Sequence, residues 1–161
     1  KAVAVVGGGD SANTAALHLA GLAERVHQIH RGNELRGETA WIEKVAENEK
    51  IETIFGTEVV GLKGDDRLEA VVLSDGREIA VEGLFIEIGT LPRRGLTDLL
   101  GLEVDERGYI KVAADQRTSK EGIWAAGDIT SASNNFHQII TACSEGAIAA
   151  ESVFARPKKG K

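Results

Sequence analysis

A chain of 161 residues, 42% apolar and 27% charged, has the make-up of a globular protein with room for one domain or two small ones. Its formal net charge of −6 argues against general nucleic-acid binding, and the basic block Lys158-Lys159-Gly160-Lys161 reads as a solvated end. No run approaches the ~18 consecutive apolar residues of a membrane span and no signal peptide is visible, so a cytoplasmic setting with no membrane partner is expected.

The chain opens on Lys1-Ala2-Val3-Ala4-Val5-Val6, an apolar, β-branched run that predicts a buried strand over 2–6. A helix follows over 10–22, with Ala15, Ala16, Leu17, Leu19, Ala20 and Leu22 as its apolar surface, and then a strand over 25–30. Together these make one right-handed βαβ unit. The pattern continues with a helix over 38–48, carrying Trp41, Ile42, Val45 and Ala46 on one side, and a strand over 50–55. Short alternating strands at 59–63, 68–73 and 78–81, separated by Gly64-Asp65-Asp66 and Ser74-Asp75-Gly76, predict an antiparallel three-stranded crossover. A mostly apolar strand, Gly83 to Gly89, completes a nucleotide-binding unit over 1–89.

Residues 90–161 read as an incomplete second α/β domain: a linker at 90–95, small strands near 109–112 and 122–126, and one long helix over 136–154. That helix is apolar around much of its circumference, with charges only at Glu145 and Glu151, and must be buried on something larger than two short strands. A partner segment is therefore expected, consistent with a chain that begins directly on a core strand.

The single cysteine, Cys143, allows no internal disulfide and no Cys-x-x-Cys pair, and its small-residue surroundings predict a buried structural thiol. The four histidines, His18, His27, His30 and His137, show no metal-ligand spacing, so no metal site is expected.

Between the first strand and helix lies Gly7-Gly8-Gly9-Asp10-Ser11-Ala12, a Gly-x-Gly-x-x-Ala turn. Gly7 permits the tight turn, Gly9 lets a pyrophosphate approach the backbone, and Ala12 lets the helix sit close to the strand. Free N–H groups and the positive end of the helix dipole would hold phosphate there. The plain alternative is a glycine-rich turn of any α/β domain.

The residue about 20 positions beyond the glycines selects the cofactor: a carboxylate accepts from the 2′-hydroxyl of NAD, cationic residues admit the 2′-phosphate of NADP. That place falls at His30-Arg31, where no carboxylate stands, and Arg31 and Arg36 flank the loop Gly32-Asn33-Glu34-Leu35. At roughly 1.5–3 kcal/mol for each charge-assisted bond, even one arginine would favour NADPH over NADH about tenfold or more. Glu34, if turned inward, would oppose the phosphate, and ordinary surface arginines remain the alternative.

Five stretches, in order and at family spacing, resemble the C-terminal part of low-molecular-weight thioredoxin reductases and their relatives. They are Val5-Val6-Gly7-Gly8-Gly9-Asp10-Ser11-Ala12, Ile29-His30-Arg31 with Arg36, Gly83 to Gly89 followed by Pro92, Gly122-Ile123-Trp124-Ala125-Ala126-Gly127-Asp128, and His137-Gln138-Ile139-Ile140-Thr141-Ala142. The resemblance implies a Rossmann-like NADP(H) domain over 1–89, with Ile88 and Gly89 also at the cofactor, inserted into a FAD domain whose last part is 90–161. It further implies that Gly127 and Asp128 meet the ribityl–phosphate region of FAD and that His137, Gln138 and Ile139 approach the flavin pyrimidine. Backbone N–H groups at a helix N-terminus suit the negative charge of a reduced flavin. A turn after a strand and a plain packing helix are the structural alternatives.

The activity implied is hydride transfer from NADPH to FAD and electron transfer to a disulfide acceptor such as thioredoxin, in a homodimer. The family's N-terminal FAD-binding βαβ and its redox Cys-x-x-Cys are absent from this sequence, so no catalytic residue is assigned, and a missing segment or separate chain is implied. The family's His-Arg-Arg reads His30-Arg31-Gly32 here, one phosphate ligand fewer. Two other readings stay open: a dithiol-lacking ferredoxin or flavodoxin–NADP reductase, and a non-catalytic dinucleotide-binding module.

Overall fold

The computed structural model describes residues 1–155 and divides into two compact units, Lys1–Gly89 and a second that begins at Thr90. The basic block at 158–161 lies outside the described residues. In the first unit β1 (Ala2–Val6), α1 (Asp10–Ala20), β2 (Arg25–His30), α2 (Thr39–Glu47) and β3 (Ile51–Phe55) alternate. β4 (Val59–Lys63), β5 (Ala70–Leu73) and β6 (Glu78–Ala80) follow, and β7 (Gly83–Ile86) ends the unit.

The sheets are those the pattern predicts: a four-stranded parallel sheet in the order β3-β2-β1-β7 and a three-stranded antiparallel sheet in the order β4-β5-β6. Register pairs Val5 with Gln28 on one side and with Phe85 on the other. β1 is apolar throughout because both of its faces are covered. Val5 packs with Ala12, Ala16, Leu19 and Val26, so α1 covers one face. Ala4 packs with Ile29, Ile54, Val71 and Leu73, so the antiparallel sheet covers the other. Along α1 the small residues Ala12, Ala16 and Ala20, four apart, form a buried stripe that lets the helix lie close to the sheet.

Several boundaries shift. α1 stops at Ala20 because Gly21 turns the chain, so Leu22 is exposed instead of packing. On α2 only Val45 is buried. The last strand of the unit ends at Ile86, three residues short of Gly89.

In the second unit, α3 (Gly95–Leu100), ended by left-handed Gly101, begins where the sequence suggests only a linker and runs beyond it. The strands expected near 109–112 and 122–126 form only single bridges, Val104 with Ile110, Ile110 with Thr130, and Arg117 with Trp124. Their backbone groups are spent on turns instead, as where the Asp105 N–H donates to Tyr109 O and the Ala113 N–H to Arg117 O. α4 (Ile139–Phe154) starts three residues later than expected. Ser133, Asn134 and Asn135 take left-handed backbone before it, and the Gln138 N–H donates to Thr141 Oγ1 at 3.1 Å.

The apolar surface of α4 is open among the described residues: Ile139 is 86% and Ile140 76% exposed. Cys143, one turn from Ile139 on the same face, is exposed too, not buried as its small neighbours suggested. No described helix is long and apolar enough to cross a membrane.

Candidate functional site

The glycine turn sits at the carboxyl ends of β1 and β7. Gly7 has φ +145°, its N–H donates to Ile29 O at 3.0 Å, and a Cβ there would strike the Glu87 carbonyl and lie 2.9 Å from the Ala12 Cβ. A Cβ on Gly8 would lie 2.5 Å from the His30 ring, which forms the floor of the turn. Gly9 differs: a Cβ there would meet nothing within 4 Å, so the turn is open on that side. Gly9 caps α1, and the first intrahelical bond runs from Asn13 N to Gly9 O at 2.9 Å. The N–H groups of Asp10, Ser11 and Ala12 therefore have no intrahelical acceptor, the arrangement that suits an anion.

The loop carrying the arginines is fastened onto this turn. The Arg36 N–H donates to Gly8 O at 2.6 Å, Asn13 Nδ2 to Arg36 O at 3.1 Å, and the Glu38 N–H to Asp10 Oδ1 at 2.8 Å. Gly37, with φ +111°, lies against the Asp10 carboxylate so closely that a Cβ would overlap it. Asp10, expected at the cofactor, thus spends one oxygen on holding the loop.

Behind the turn, Gln28 Nε2 donates to Asn13 Oδ1 at 2.9 Å and to Gly7 O at 3.3 Å. Asn13 and Gln28 are fully buried, and Gln28 Oε1 has no partner, a cost of about 1–3 kcal/mol. Neither residue was singled out from the sequence. The signal was there in Gln28, a polar residue two positions from Val26 on the same strand face, where apolar alternation would continue.

Of the expected cofactor residues, His30 is buried beneath Gly8, and burial first, then the charges of Arg36 and Arg31, lowers its proton affinity. Arg31 is exposed, its guanidinium 3.9 Å from the Glu58 carboxylate. Arg36 and Glu34 are exposed and make no ion pair among the described residues. Ile88 and Gly89 follow β7, whose Ile86 pairs with Val6, and the Glu87 N–H donates to Val6 O at 2.8 Å. The glycine turn, the arginine loop and Ile88-Gly89 therefore gather at the carboxyl ends of β1, β2 and β7, where ligands of open α/β sheets bind.

In the second unit a cavity of about 340 Å³ is lined by Asp128, His137, Gln138, Ile139 and Ala142. The residues expected from two separate motifs thus meet at the start of α4. Gly127 has φ +82° and would bring a Cβ within 3.6 Å of the Ala142 Cβ. The His137 ring packs on Tyr109 at 5.0 Å, and its Nε2 is buried without a partner among the described residues.

Glu145, missed in the sequence except as a charge on an apolar helix, holds this turn. Its carboxylate accepts from Gly127 N at 2.8 Å, Thr130 Oγ1 at 2.9 Å and Ser133 Oγ at 2.5 Å. Burial opposes its charge, but the bonds from Ser133, Thr130 and Gly127, with the field of His137, outweigh it and hold its pKa below the usual value. Among the described residues no group of three or more His, Cys, Asp and Glu side chains could hold a metal ion.

Comparison with known proteins gives a consistent neighbourhood. The family described as Pyridine nucleotide-disulphide oxidoreductase matches residues 1–146. Thioredoxin reductase of Treponema pallidum is 40% identical, with 94% of this chain aligned to 50% of that protein. Ferredoxin–NADP reductase 2 of Christiangramia forsetii is 38% identical over 97% of this chain and 47% of its own. The crystal structure of Lactococcus lactis thioredoxin reductase superposes with a TM-score of 0.83 at 34% identity, covering 95% of this chain and 52% of that one. The chain spans about half the length of the curated relatives it matches.

Proposed function

The chain belongs to the pyridine nucleotide-disulphide oxidoreductase family, and from that premise we propose that it forms the NADP(H)-binding domain and the closing part of the FAD domain of a thioredoxin reductase-like flavoprotein. The observation that carries the reading is the open side of the turn at Gly9 with free N–H groups behind it and Arg31 and Arg36 beside it.

The residues fit the two cofactors on different grounds. For the dinucleotide, the turn leaves space where a Cβ on Gly9 would stand and Arg36 is without an ion pair among the described residues, so the pyrophosphate would rest on Gly8, Gly9 and the first turn of α1. Arg31 and Arg36 would hold the 2′-phosphate, with His30 supporting the turn from below and Ile88-Gly89 bordering it. For FAD, the cavity at Asp128 and the orphaned His137 Nε2 beside it supply an acceptor and a free polar atom. Gly127 and Asp128 would bind the ribityl–phosphate region, and His137, Gln138 and Ile139 the pyrimidine edge. When bound, the reduced nicotinamide supplies a hydride and the flavin passes the electron pair on to an acceptor disulfide. What the chain itself does is hold the dinucleotide by its phosphates, select it at the ribose and present backbone donors at the head of α4.

The exposed apolar face of α4 supports a further FAD-domain segment, in the same polypeptide or another, as its cover. A second reading, electron delivery to ferredoxin or flavodoxin, is supported by the Christiangramia forsetii relative. The deciding experiment gives the intact polypeptide NADPH together with oxidised thioredoxin or oxidised ferredoxin and follows NADPH consumption at 340 nm. Turnover with thioredoxin supports the first reading and turnover only with ferredoxin the second. Binding without any turnover leaves a dinucleotide-binding module.

A further inference from the structure

We propose that Asn13 and Gln28 are positioning residues for NADPH selection, acting through the backbone of Arg36; this rests on the reading of the glycine turn as a dinucleotide site. A continuous line of hydrogen bonds runs from the Gly7 carbonyl to Gln28 Nε2, on from Gln28 to Asn13 Oδ1, and from Asn13 Nδ2 to the Arg36 carbonyl, with lengths of 3.3, 2.9 and 3.1 Å. Its two ends are the turn that takes pyrophosphate and the residue that takes the 2′-phosphate. The amides fix both to one frame from inside the core.

Core stability does not account for them. Both side chains are fully buried between a sheet and a helix whose other inward residues are Val5, Ala12, Ala16 and Val26. Two apolar side chains of similar volume would fill the space and remove the Gln28 Oε1 that has no partner among the described residues, giving up in exchange the donors to the Gly7 and Arg36 carbonyls. What the amides add is a second tie on the Arg36 backbone, whose N–H is already held by Gly8 O. With its N–H and its carbonyl both held, the two peptide groups that flank the Arg36 Cα are fixed, and the exposed guanidinium searches from a set origin. Such preorganisation increases affinity by lowering the ordering cost at binding. A phosphate dianion, which takes directional charge-assisted bonds, gains more from it than a 2′-hydroxyl does.

The test is a double-mutant cycle on the intact polypeptide, with NADPH and NADH binding measured by isothermal titration calorimetry. Asn13→Leu/Gln28→Leu removes both amides together, so neither amide is left buried opposite an apolar side chain. The variant is expected to fold, to bind NADH within about twofold of wild type, and to lose about three- to tenfold of the NADPH preference. In an Arg36→Ala background the same pair of changes is expected to leave the remaining preference unaltered. A folded double variant with wild-type preference overturns the proposal, and so does a loss of equal size in the Arg36→Ala background. If the double variant does not fold, Asn13→Ser, which keeps a hydroxyl but shortens its reach, is read by the same two outcomes. Wild-type protein that binds no NADPH overturns the dinucleotide reading itself, a result distinct from an unchanged preference in the variants.

Discussion

The Arg36 N–H donates to the Gly8 carbonyl at 2.6 Å, joining a loop residue after β2 to the middle of the turn after β1. Through that bond a cationic side chain is anchored at the glycine turn, although nothing in the local pattern of either segment requires them to meet. The first prediction follows directly. Arg36→Ala should weaken NADPH binding about tenfold or more and leave NADH nearly unchanged, because a charge-assisted bond to the 2′-phosphate contributes roughly 1.5–3 kcal/mol. Calorimetric titration with the two nucleotides measures it; equal losses for both would remove the selectivity argument.

Arg31→Ala should have the same sign and a smaller size. Its guanidinium faces Glu58 at 3.9 Å, and that exposed pair, contributing about 0–1 kcal/mol, must be given up before the phosphate is held. Glu58→Gln should accordingly tighten NADPH binding slightly and lose that gain in an Arg31→Ala background, as read from the dissociation constants of the variants.

Gly8→Ala should destabilise the first unit by about 1–3 kcal/mol, since its new Cβ would lie 2.5 Å from the His30 ring. The cost should be largely relieved by His30→Ala, which clears the floor of the turn. Chemical denaturation of the two single variants and the double one would show this non-additivity; simple addition would place the strain elsewhere.

Acid should loosen the first unit before it loosens the second. His30 and His27 have pKa values below the usual 6.5, in each case chiefly through burial, so the unfolded chain binds their protons first. Stability from these groups is complete above the unfolded pKa and falls as pH drops from there toward the lowered folded values. Melting temperatures between pH 7.5 and 5 should therefore decline, and His30→Gln should flatten the decline.

Glu145 behaves with the opposite chemistry and an equal direction of loss. Its lowered carboxyl pKa contributes stability above the unfolded value of 4.5, lost as pH falls through the folded one. Glu145→Ala, which removes the side-chain acceptor of the Gly127 N–H and of the Thr130 and Ser133 hydroxyls, should cost about 1–3 kcal/mol and remove that acid-dependent part. Denaturation followed by Trp124 fluorescence in a Trp41→Phe background isolates the second unit, where Trp124 Nε1 donates to Ser152 Oγ.

Much of this molecule was legible in its sequence. The apolar β-branched run before Gly7, the helical spacing after it and the Asp75-Gly76 hairpin determined by themselves a parallel sheet with an antiparallel addition, because period and turn chemistry are local properties. The same locality places Gly7, Gly9 and Ala12, whose roles depend on the presence or absence of one Cβ.

Only the tertiary structure decided the rest, because the remaining facts are relations between distant segments. Whether Arg36 reaches the turn depends on its backbone hydrogen bonds with Gly8 and Asn13, and whether Asp128 meets His137 depends on Glu145 drawing in the Gly127 turn. The short strands expected near 109–112 and 122–126 failed because β-propensity needs a neighbour to pair with, and the described chain offers single bridges there. Asn13 and Gln28 looked like ordinary polar residues until burial made each amide's hydrogen bonds obligatory. Pattern alone determines which face of an element turns inward. Which polar atoms meet there is settled by packing, since a buried donor must find its acceptor wherever the chain brings one.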